Sequence, residues 1–442
     1  MFENQPWMRD SDGLGFELAQ CTEEGRDVTG LKEKIDAILA MPAGSEKEKA
    51  AGDLLDATLA LPTVEGYPYC EPTERDGIQA EAPGIADVPF SGDLYDRVYG
   101  GWLGRCCGCL LGKPYEGWRR AKIYDLLKAT ANFPPTSYTS SQGKEDVFAS
   151  LDADPKACWI NNVAYMPEDD DTNYTLIALK LMERCGRSFT SVDIADTWLR
   201  DLPYFHLCTA ERVGYRNLVN LHEPPESGSY RNSYREWIGA QIRGDLFGYI
   251  NPGRMAEAAD MAWRDAVMTH VKNGVYGEMM IAAMIAAAYT TTDIRSIIRA
   301  GLAVIPRRCR LAAAVEEALG WADQGLTEMQ ALDRIHEKWN EASGHDWCHT
   351  ISNAVICIVA LVYGGGDFTR TLSISLMGAL DTDCNAATVG SILGVMLGAK
   401  ALPASWIDPL QDTLLSGVDG FGRVKISDMA RRTLAFCPSL SC

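Results

Sequence analysis

The chain has 442 residues, of which 47% are hydrophobic and 23% charged, and its formal net charge at pH 7 is −19. A chain of this length and apolar content can bury a large core, as one large domain or as two to three smaller ones. The acidic charge excludes the proteins that bind nucleic acid through a basic surface, because such binding displaces counterions from the phosphate backbone with lysine and arginine. We expect no nucleic-acid partner, and the sequence leaves the oligomeric state open.

The sequence also predicts a cytoplasmic protein with no membrane partner. The first 20 residues carry acids and lack the apolar segment of a signal peptide, and no apolar run approaches the roughly 20 residues that a membrane helix needs. The 14 cysteines are scattered, and a free buried cysteine behaves as a small hydrophobe. Cys106 and Cys109 form a C-x-x-C that could bind zinc or cycle between redox states, but no second pair with zinc-ligand spacing follows.

Residues 1–90 predict an N-terminal helical extension followed by a Pro-rich linker. Amphipathic spacing predicts helices over Val28–Leu39 and Glu46–Leu61. From Pro62 to Pro89 the composition shifts to Pro, Glu, Gly and Thr with little periodicity, which indicates a linker or a strap on the surface. The main domain is then predicted over residues 91–442.

From Leu94 onward the apolar spacing is helical almost throughout. Alternating runs of Val, Ile and Thr are scarce, so we predict an all-α fold, a compact orthogonal helical bundle instead of a βαβ sheet. The predicted helices are Thr172–Cys185, Val192–Leu202, Gly277–Tyr289, Ile294–Val304, Arg310–Asp323, Met329–Asn340, Ile351–Tyr363, Thr369–Leu380 and Asn385–Lys400.

Two acidic clusters, Glu168–Asp171 and Asp381–Asp383, stand directly before predicted helices. Neighbouring carboxylates repel one another and resist burial, and they are hard oxygen donors suited to Mg²⁺, Mn²⁺ or Ca²⁺. Two such groups brought together could hold a pair of ions. The alternative is a solvated acidic cap, because carboxylates at a helix N-terminus interact favourably with the helix dipole.

Four stretches together resemble motifs of the ADP-ribosylglycohydrolase family. Gly100–Glu116, a Gly-spaced helix running into Gly-x-Pro-x-Glu, resembles the family's opening helix. Asp170–Thr172 is similar to its first metal motif and Asp381–Asp383 to its second, and Asp265–His270 resembles its Asp-Ala-x-x-Thr-His segment. The resemblance covers roughly residues 94–436 and leaves the N-terminal segment outside it.

The resemblance implies a binuclear Mg²⁺ site, with Mn²⁺ possible, in a cleft of a helical bundle. It implies hydrolysis of the bond between C1 of a ribose and an acceptor atom, in a small-molecule or ADP-ribosylated substrate. Two ions would orient the ribose hydroxyls and align a water for attack. The residues implied as metal ligands are Asp169, Asp170, Asp171, Asp381 and Asp383; those in catalysis are Asp171 and Glu116; those binding substrate are His270, Arg243 and Gly274.

Several positions depart from the family pattern. Asp169 stands where Thr or Ser is usual, Cys384 where Thr is usual, and Cys109 where Asp is common. Cys384 is a poor Mg²⁺ ligand, so it is either silent or the site prefers Mn²⁺ or a softer ion. The family's Gly-Asn-Gly-x-x-Met-Arg stretch is reduced to Ile238–Arg243, whose arginine could meet a phosphate or pair with Asp245.

Alternatives remain open for other residues and for the function. His270 could be a core histidine, Glu116 a surface acid, and Lys272–Glu278 is expected to be a bulky loop that reshapes the pocket. The predicted function is a metal-dependent glycohydrolase. The alternatives are a hydrolase of a glycoside unrelated to ADP-ribose on the same fold, and a non-catalytic binding relative.

Overall fold

A computed structural model describes residues 5–438, and its secondary structure is almost entirely helical. The N-terminal segment contains α1 (Asp10–Glu23), α2 (Leu31–Leu39), α3 (Ser45–Leu59) and α4 (Arg75–Glu81). The main domain begins with α5 (Leu94–Gly112), α6 (Arg120–Ala129), α7 (Glu145–Ser150), α8 (Asp170–Cys185), α9 (Ser191–Asp201), α10 (Thr209–Val219), α11 (Glu226–Ser229) and α12 (Asp245–Tyr249).

The second half of the main domain continues with further helices and the single small sheet of the described residues. Its elements are α13 (Met255–Ala266), α14 (Lys272–Ala288), α15 (Ile294–Leu302), α16 (Arg310–Asp323), α17 (Glu328–Lys338), α18 (Gly344–Cys348), α19 (Thr350–Gly364), α20 (Phe368–Met377), α21 (Thr382–Leu397), α22 (Ala404–Ile407), β1 (Thr413–Leu415), β2 (Arg423–Lys425) and α23 (Ile426–Leu434). Short 3-10 segments are Lys113–Tyr115, Gly186–Ser188, Tyr204–His206, Ile238–Arg243, Ala399–Ala401 and Asp408–Leu410. The strands β1 and β2 pair antiparallel, with Leu414 opposite Val424.

The all-α prediction is confirmed. The helix predicted over Arg310–Asp323 has the bounds of α16, and the other predicted helices differ from the observed ones by a few residues at their ends. The expectation of a loop at Lys272–Glu278 is wrong, because these residues form the first two turns of α14. Gly274 and Gly277 lie in this helix at positions where a side chain would collide with close neighbours.

The helices α5 and α21 run antiparallel in backbone contact along a line of small residues. A Cβ on Gly104 would lie 2.0 Å from the Gly390 carbonyl oxygen, and one on Gly108 would lie 1.9 Å from that of Ala386. Since no real Cβ fits at these distances, glycine at every fourth position of α5 is a packing requirement. This packing sets the C-terminal end of α5 beside the N-terminal end of α21, where Asp381 and the following acids lie.

The chain turns sharply between α20 and α21. Ala379 and Leu380 have φ angles of 56° and 54°, both are fully buried, and both precede Asp381. Left-handed backbone at residues other than glycine costs on the order of 1–3 kcal/mol each and persists only where the surrounding packing enforces it. The backbone conformation that leads into the second acidic cluster is therefore fixed by packing and not by the conformational preference of these two residues.

The N-terminal helices are joined to the main domain by buried contacts. They share a small apolar core of their own, which includes Leu14 and Leu55. Beyond it, Arg235 makes buried ion pairs with Glu17 of α1 at 3.0 Å and with Glu24, the residue directly after α1, at 2.7 Å. The first helix is consequently an integral part of the packed structure.

The segment between α3 and α5 lies along the main domain as a strap. Its backbone amides at Cys70, Gly84 and Val88 donate to carbonyl oxygens of the main domain at 2.8–2.9 Å. Glu71 accepts from Arg310 at 3.0 Å. The strap also contains the short helix α4, which the sequence did not predict. Among the described residues, no helix combines the length and the apolar character needed to cross a membrane.

Candidate metal centre

Three helix ends converge at one site: the C-terminal end of α5 and the N-terminal ends of α8 and α21. Asp169 is the N-cap of α8, and its Oδ1 accepts a hydrogen bond from the Asp171 amide at 2.9 Å. The close packing of α5 on α21 brings Cys109 and Asp383 to the same place. Residues separated by more than 200 positions therefore meet at helix termini, where the backbone amides favour anionic side chains.

The convergence forms two groups of potential metal ligands. One consists of Cys109, Asp169 and Asp171, and the other of Asp171, Asp383 and Cys384. Within each group the ligand atoms lie within 4.8 Å of one another, and all five residues are buried. Asp171 belongs to both groups, so it is positioned to bridge two ions.

The Asp171 carboxylate is only half satisfied by the protein. Its Oδ1 accepts from Arg105 at 2.9 Å, whose other guanidinium nitrogen donates to Asp245 Oδ2 at 2.9 Å. Its Oδ2 is buried and has no hydrogen-bond partner. Burial raises the pKa of Asp171 well above its usual range, against the opposing charge of Arg105. An unpaired buried carboxylate oxygen is costly, and a cation would remove that cost.

A lysine neutralises part of the acidic cluster. Lys113 Nζ lies 2.5 Å from Asp169 Oδ2. Burial raises the pKa of Asp169, but the Lys113 charge and hydrogen bonds outweigh it, so that this pKa is lowered. Asp169 is therefore the member of the cluster that is most readily ionised without a bound ion.

The remaining acids of the two motifs border these groups. Burial, followed by the charge of Asp383, raises the pKa of Asp381 well above its usual range, and burial followed by Asp169 does the same for Asp170. Burial, with the charge of Asp169, raises the pKa of Asp383 to about 6. Mutual repulsion at this density of carboxyls opposes full ionisation in the absence of cations.

Glu116 stands at the mouth of the cluster and is exposed. The charge of Asp383, followed by burial of the carboxyl end, raises the pKa of Glu116 to about 9, with Asp169 and Asp170 contributing. Water on its exposed side screens part of this interaction. Glu116 thus lies within electrostatic reach of the cluster while remaining exposed to solvent.

The donor set fits divalent cations in general, but it does not match one metal in every position. The carboxylates of Asp169, Asp171 and Asp383 suit Mg²⁺ or Mn²⁺, and the free oxygen of Asp171 needs a cation. The thiols of Cys109 and Cys384, one in each group, suit a softer ion.

Arg243, predicted to bind substrate, is buried, and its guanidinium is paired with acids on several sides. Its guanidinium pairs with Asp265 Oδ2 at 2.5 Å and with Glu211 Oε1 at 2.9 Å, and it lies 3.6 Å from Glu278 Oε2. It also donates to Thr269 Oγ1 at 2.8 Å. Only 1% of Arg243 is exposed, so its described contacts are those of a buried ion network and not of an open phosphate site. The pairing with Asp245, which was the alternative to a phosphate contact, is not formed, because Asp245 pairs with Arg105.

His270 and Gly274, the other two predicted substrate-binding residues, are also buried. His270 Nδ1 lies 2.8 Å from Thr269 Oγ1, and burial, with the nearby Arg243 charge, lowers the pKa of His270 well below its usual range. A Cβ on Gly274 would lie 2.8 Å from the Arg235 carbonyl oxygen. These positions pack the wall behind the cluster, and a substrate role for them stays a prediction.

A third group, Glu23, His345 and His349, has metal-ligand spacing but the wrong protonation pattern. His345 Nδ1 accepts from the Trp237 indole at 3.3 Å, and His349 Nδ1 accepts from the Ile351 amide at 3.1 Å. Each Nε2 therefore carries the proton and faces Glu23, at 3.2 and 3.4 Å. A histidine that ligates a metal instead donates through its second nitrogen. The two histidines thus hold the Glu23 carboxylate of α1 in place.

Sequence reasoning missed three residues of the site: Arg105, Lys113 and the ligand position of Cys109. Arg105, Cys109 and Lys113 follow one another at intervals of four, so they share one face of α5 with its extension. That spacing was a usable signal. The C-x-x-C interpretation instead paired Cys109 with Cys106, and Cys106 belongs to neither ligand group.

Comparisons with known proteins agree with this architecture. The sequence model of the ADP-ribosylglycohydrolase family matches residues 91–438. One similar solved structure, titled "ADP-ribosylglycohydrolase-related protein complex", has a TM-score of 0.50 at 17% sequence identity, covering 78% of this chain and 99% of that chain. At this identity the likeness concerns the fold alone. No curated protein matches the chain significantly.

Proposed function

We propose, from the premise that the chain belongs to the ADP-ribosylglycohydrolase family, that it is a metal-dependent glycohydrolase. Its reaction would be hydrolysis of the anomeric bond of an ADP-ribosyl or related ribosyl adduct, carried by a small molecule or by a modified protein. The observation that carries the proposal is the buried carboxylate cluster, in which Asp171 Oδ2 has no partner and beside which Glu116 is exposed.

The residues proposed to hold two ions are Asp169, Asp170, Asp171, Asp381 and Asp383. When bound, Mg²⁺ ions, or Mn²⁺ as the alternative, supply an electrophilic centre that orients vicinal ribose hydroxyls and polarises a water. A buried ion pair with Arg105 holds the Asp171 carboxylate in one orientation, so that its other oxygen would be available to an ion.

Glu116 is proposed to handle the proton of the attacking water. It is the exposed acid at the cluster mouth, so it can accept a hydrogen bond from that water or from a ribose hydroxyl. Cationic charge beside Asp383 would cancel the repulsion that raises the pKa of Glu116 to about 9, so that its carboxylate form becomes available as a base near neutral pH.

A second candidate substrate class is favoured by a specific observation. Arg243, the residue expected to meet a diphosphate, is buried among Glu211, Asp265 and Glu278. The cations described beside the cluster, Lys113 and Arg105, are already paired with Asp169 and Asp171. A glycoside without a diphosphate would need no such cation, so a non-nucleotide glycosidase is the second candidate.

The deciding experiment is turnover by chelator-treated protein with Mg²⁺ or Mn²⁺ restored. The substrates are ADP-ribosyl-arginine, ADP-ribosyl-serine, O-acetyl-ADP-ribose and simple ribosides. Turnover of an ADP-ribosyl compound that disappears with chelator supports the proposal, and turnover of the simple ribosides alone supports the second candidate. A protein that binds these compounds and turns over none of them would be a binding relative without catalysis.

A cytoplasmic location is also proposed. The 13 cysteines among residues 5–438 are all free, including pairs close in sequence such as Cys106 and Cys107. Free thiols persist in a reducing compartment. Fractionation of cells that express the chain, with a thiol-accessibility assay on the native protein, tests this location.

A further inference from the structure

We propose that the metal centre of this chain is a mixed thiolate–carboxylate site, in which Cys109 and Cys384 each ligate a borderline-soft divalent ion of which Zn²⁺ is the representative. The inference rests on the metal centre of the proposed function and concerns which ion that centre selects. In such a site each of the two groups contributes one sulfur ligand, in contrast to the all-oxygen coordination that the hard ion Mg²⁺ requires.

The ligand atoms of each group are close enough together to be drawn onto one ion. In each group one thiol and two carboxylates lie within 4.8 Å of one another. With Zn–S near about 2.3 Å and Zn–O near about 2.0–2.2 Å, ligand atoms of a tetrahedral ion are separated by about 3.4–3.6 Å. Each group would therefore bind an ion by drawing its side chains closer together.

The two thiols are held in place by the helix packing. Cys109 is fully buried on α5 between Gly108 and Gly112, where a Cβ would collide with the backbone of α21. Cys384, on the first turn of α21, is 6% exposed. Neither sulfur, among the described residues, makes a hydrogen bond, whereas Cys107 on the same helix donates to the Trp406 carbonyl oxygen at 3.3 Å.

An independent observation favours a cation at the site. Asp171 Oδ2 is buried without a partner, and Asp171 is the residue that both groups share. In the first group Asp169 Oδ2 is held by Lys113, so an ion bound there would compete with this ion pair. Each cysteine that becomes a ligand releases its thiol proton to solvent, so coordination by both thiols releases two protons and changes no oxidation state.

The test uses Co²⁺ as a spectroscopic probe in the full-length, chelator-treated protein. Thiolate ligation gives Co²⁺ an intense near-ultraviolet charge-transfer band that oxygen ligands do not give. We expect this band in the unmodified protein, about half of its intensity in C109S or C384S, and none in the double variant. Cys107→Ser, which alters a buried thiol of the same helix outside both groups, is the matched control and should keep the full band.

X-ray absorption at the zinc edge of the unmodified protein provides a measurement that does not depend on any variant folding. A Zn–S shell near about 2.3 Å supports the proposal. Stoichiometric Co²⁺ and Zn²⁺ binding with oxygen and nitrogen neighbours alone overturns it and leaves the proposed hydrolase intact. Failure of Mg²⁺, Mn²⁺, Co²⁺ and Zn²⁺ all to bind would overturn both this inference and the metal centre itself.

Discussion

At the scale of single residues, the two oxygens of Asp171 are in different situations. Its Oδ1 is paired with Arg105, while its Oδ2 is buried and unpaired next to the other acids. The same side chain thus combines a fixed orientation with a free ligand position. Because Arg105 keeps its pairing with Asp245, removal of the Asp171 charge does not leave the guanidinium without a partner.

Asp171→Asn should reduce kcat by about two orders of magnitude or more, which is the scale on which charge stabilisation of the transition state acts. It should leave the far-ultraviolet circular dichroism unchanged. Steady-state kinetics at saturating divalent ion measures the effect. The control is Asp53→Asn, an exposed acid of α3 whose removal should change neither quantity. A variant that retained near-unmodified kcat would show that Asp171 is not a ligand.

Arg243→Ala should destabilise the protein by about 3–5 kcal/mol, because it leaves three buried acids without their cation. Urea denaturation measures the change. Arg299→Ala removes an exposed pairing with Glu316 and should cost less than about 1 kcal/mol. If Arg243→Ala instead kept its stability and raised KM only for diphosphate substrates, Arg243 would be a substrate residue after all.

At the scale of elements, the contact between α5 and α21 determines where the acids meet. Gly108→Ala places a Cβ against the Ala386 carbonyl oxygen and should cost about 1–3 kcal/mol. It should also weaken divalent-ion binding, because it moves Cys109 relative to Asp383. Calorimetric unfolding and ion titration of the same variant measure both effects.

The control for this variant is Gly320→Ala in α16. A Cβ there would meet its nearest neighbour only at 3.6 Å, so alanine should be neutral or stabilising by up to about 1 kcal/mol. Equal behaviour of the two variants would show that the close approach of α5 to α21 does not position the metal centre.

At the scale of the whole molecule, the net charge of −19 is concentrated in part within one buried cluster. The carboxyls of this cluster repel one another when they are ionised, and bound cations would reduce that repulsion. The pKa of Asp383 is about 6 and that of Glu116 about 9, both above their ordinary values. A carboxyl with a raised folded-state pKa contributes its full stability below its unfolded pKa and loses it as the pH rises through the folded value.

The metal-free protein should therefore lose thermal stability as the pH rises from the ordinary carboxyl range, about 4, through the pKa of Asp383 at about 6 and on toward that of Glu116 at about 9. Saturating divalent ion should abolish most of this loss, since ion binding to the folded state stabilises it and favours ionised ligands. Calorimetry with and without chelator measures Tm at each pH. Glu23, whose pKa is lowered to about 2, titrates below this window. A Tm that is independent of both pH and ions would contradict the metal centre.

The sequence alone determined many of the longer helices and the positions of the acidic motifs, because the apolar spacing that specifies a helix is a relation among residues three and four apart. The helix α16 and the start of α8 at the acidic run follow from such local relations. The weakly amphipathic α1 was missed, since it turns Glu17 and Gln20 inward toward charged partners more than 200 residues away.

Only the tertiary structure decided which of these side chains meet. It grouped Cys109 with the aspartates, enclosed Arg243 among three acids, and bound α1 to Arg235. These outcomes depend on how closely two helices approach and on which face of each is covered. Such long-range packing is fixed by the whole set of contacts, so no short stretch of sequence contains it.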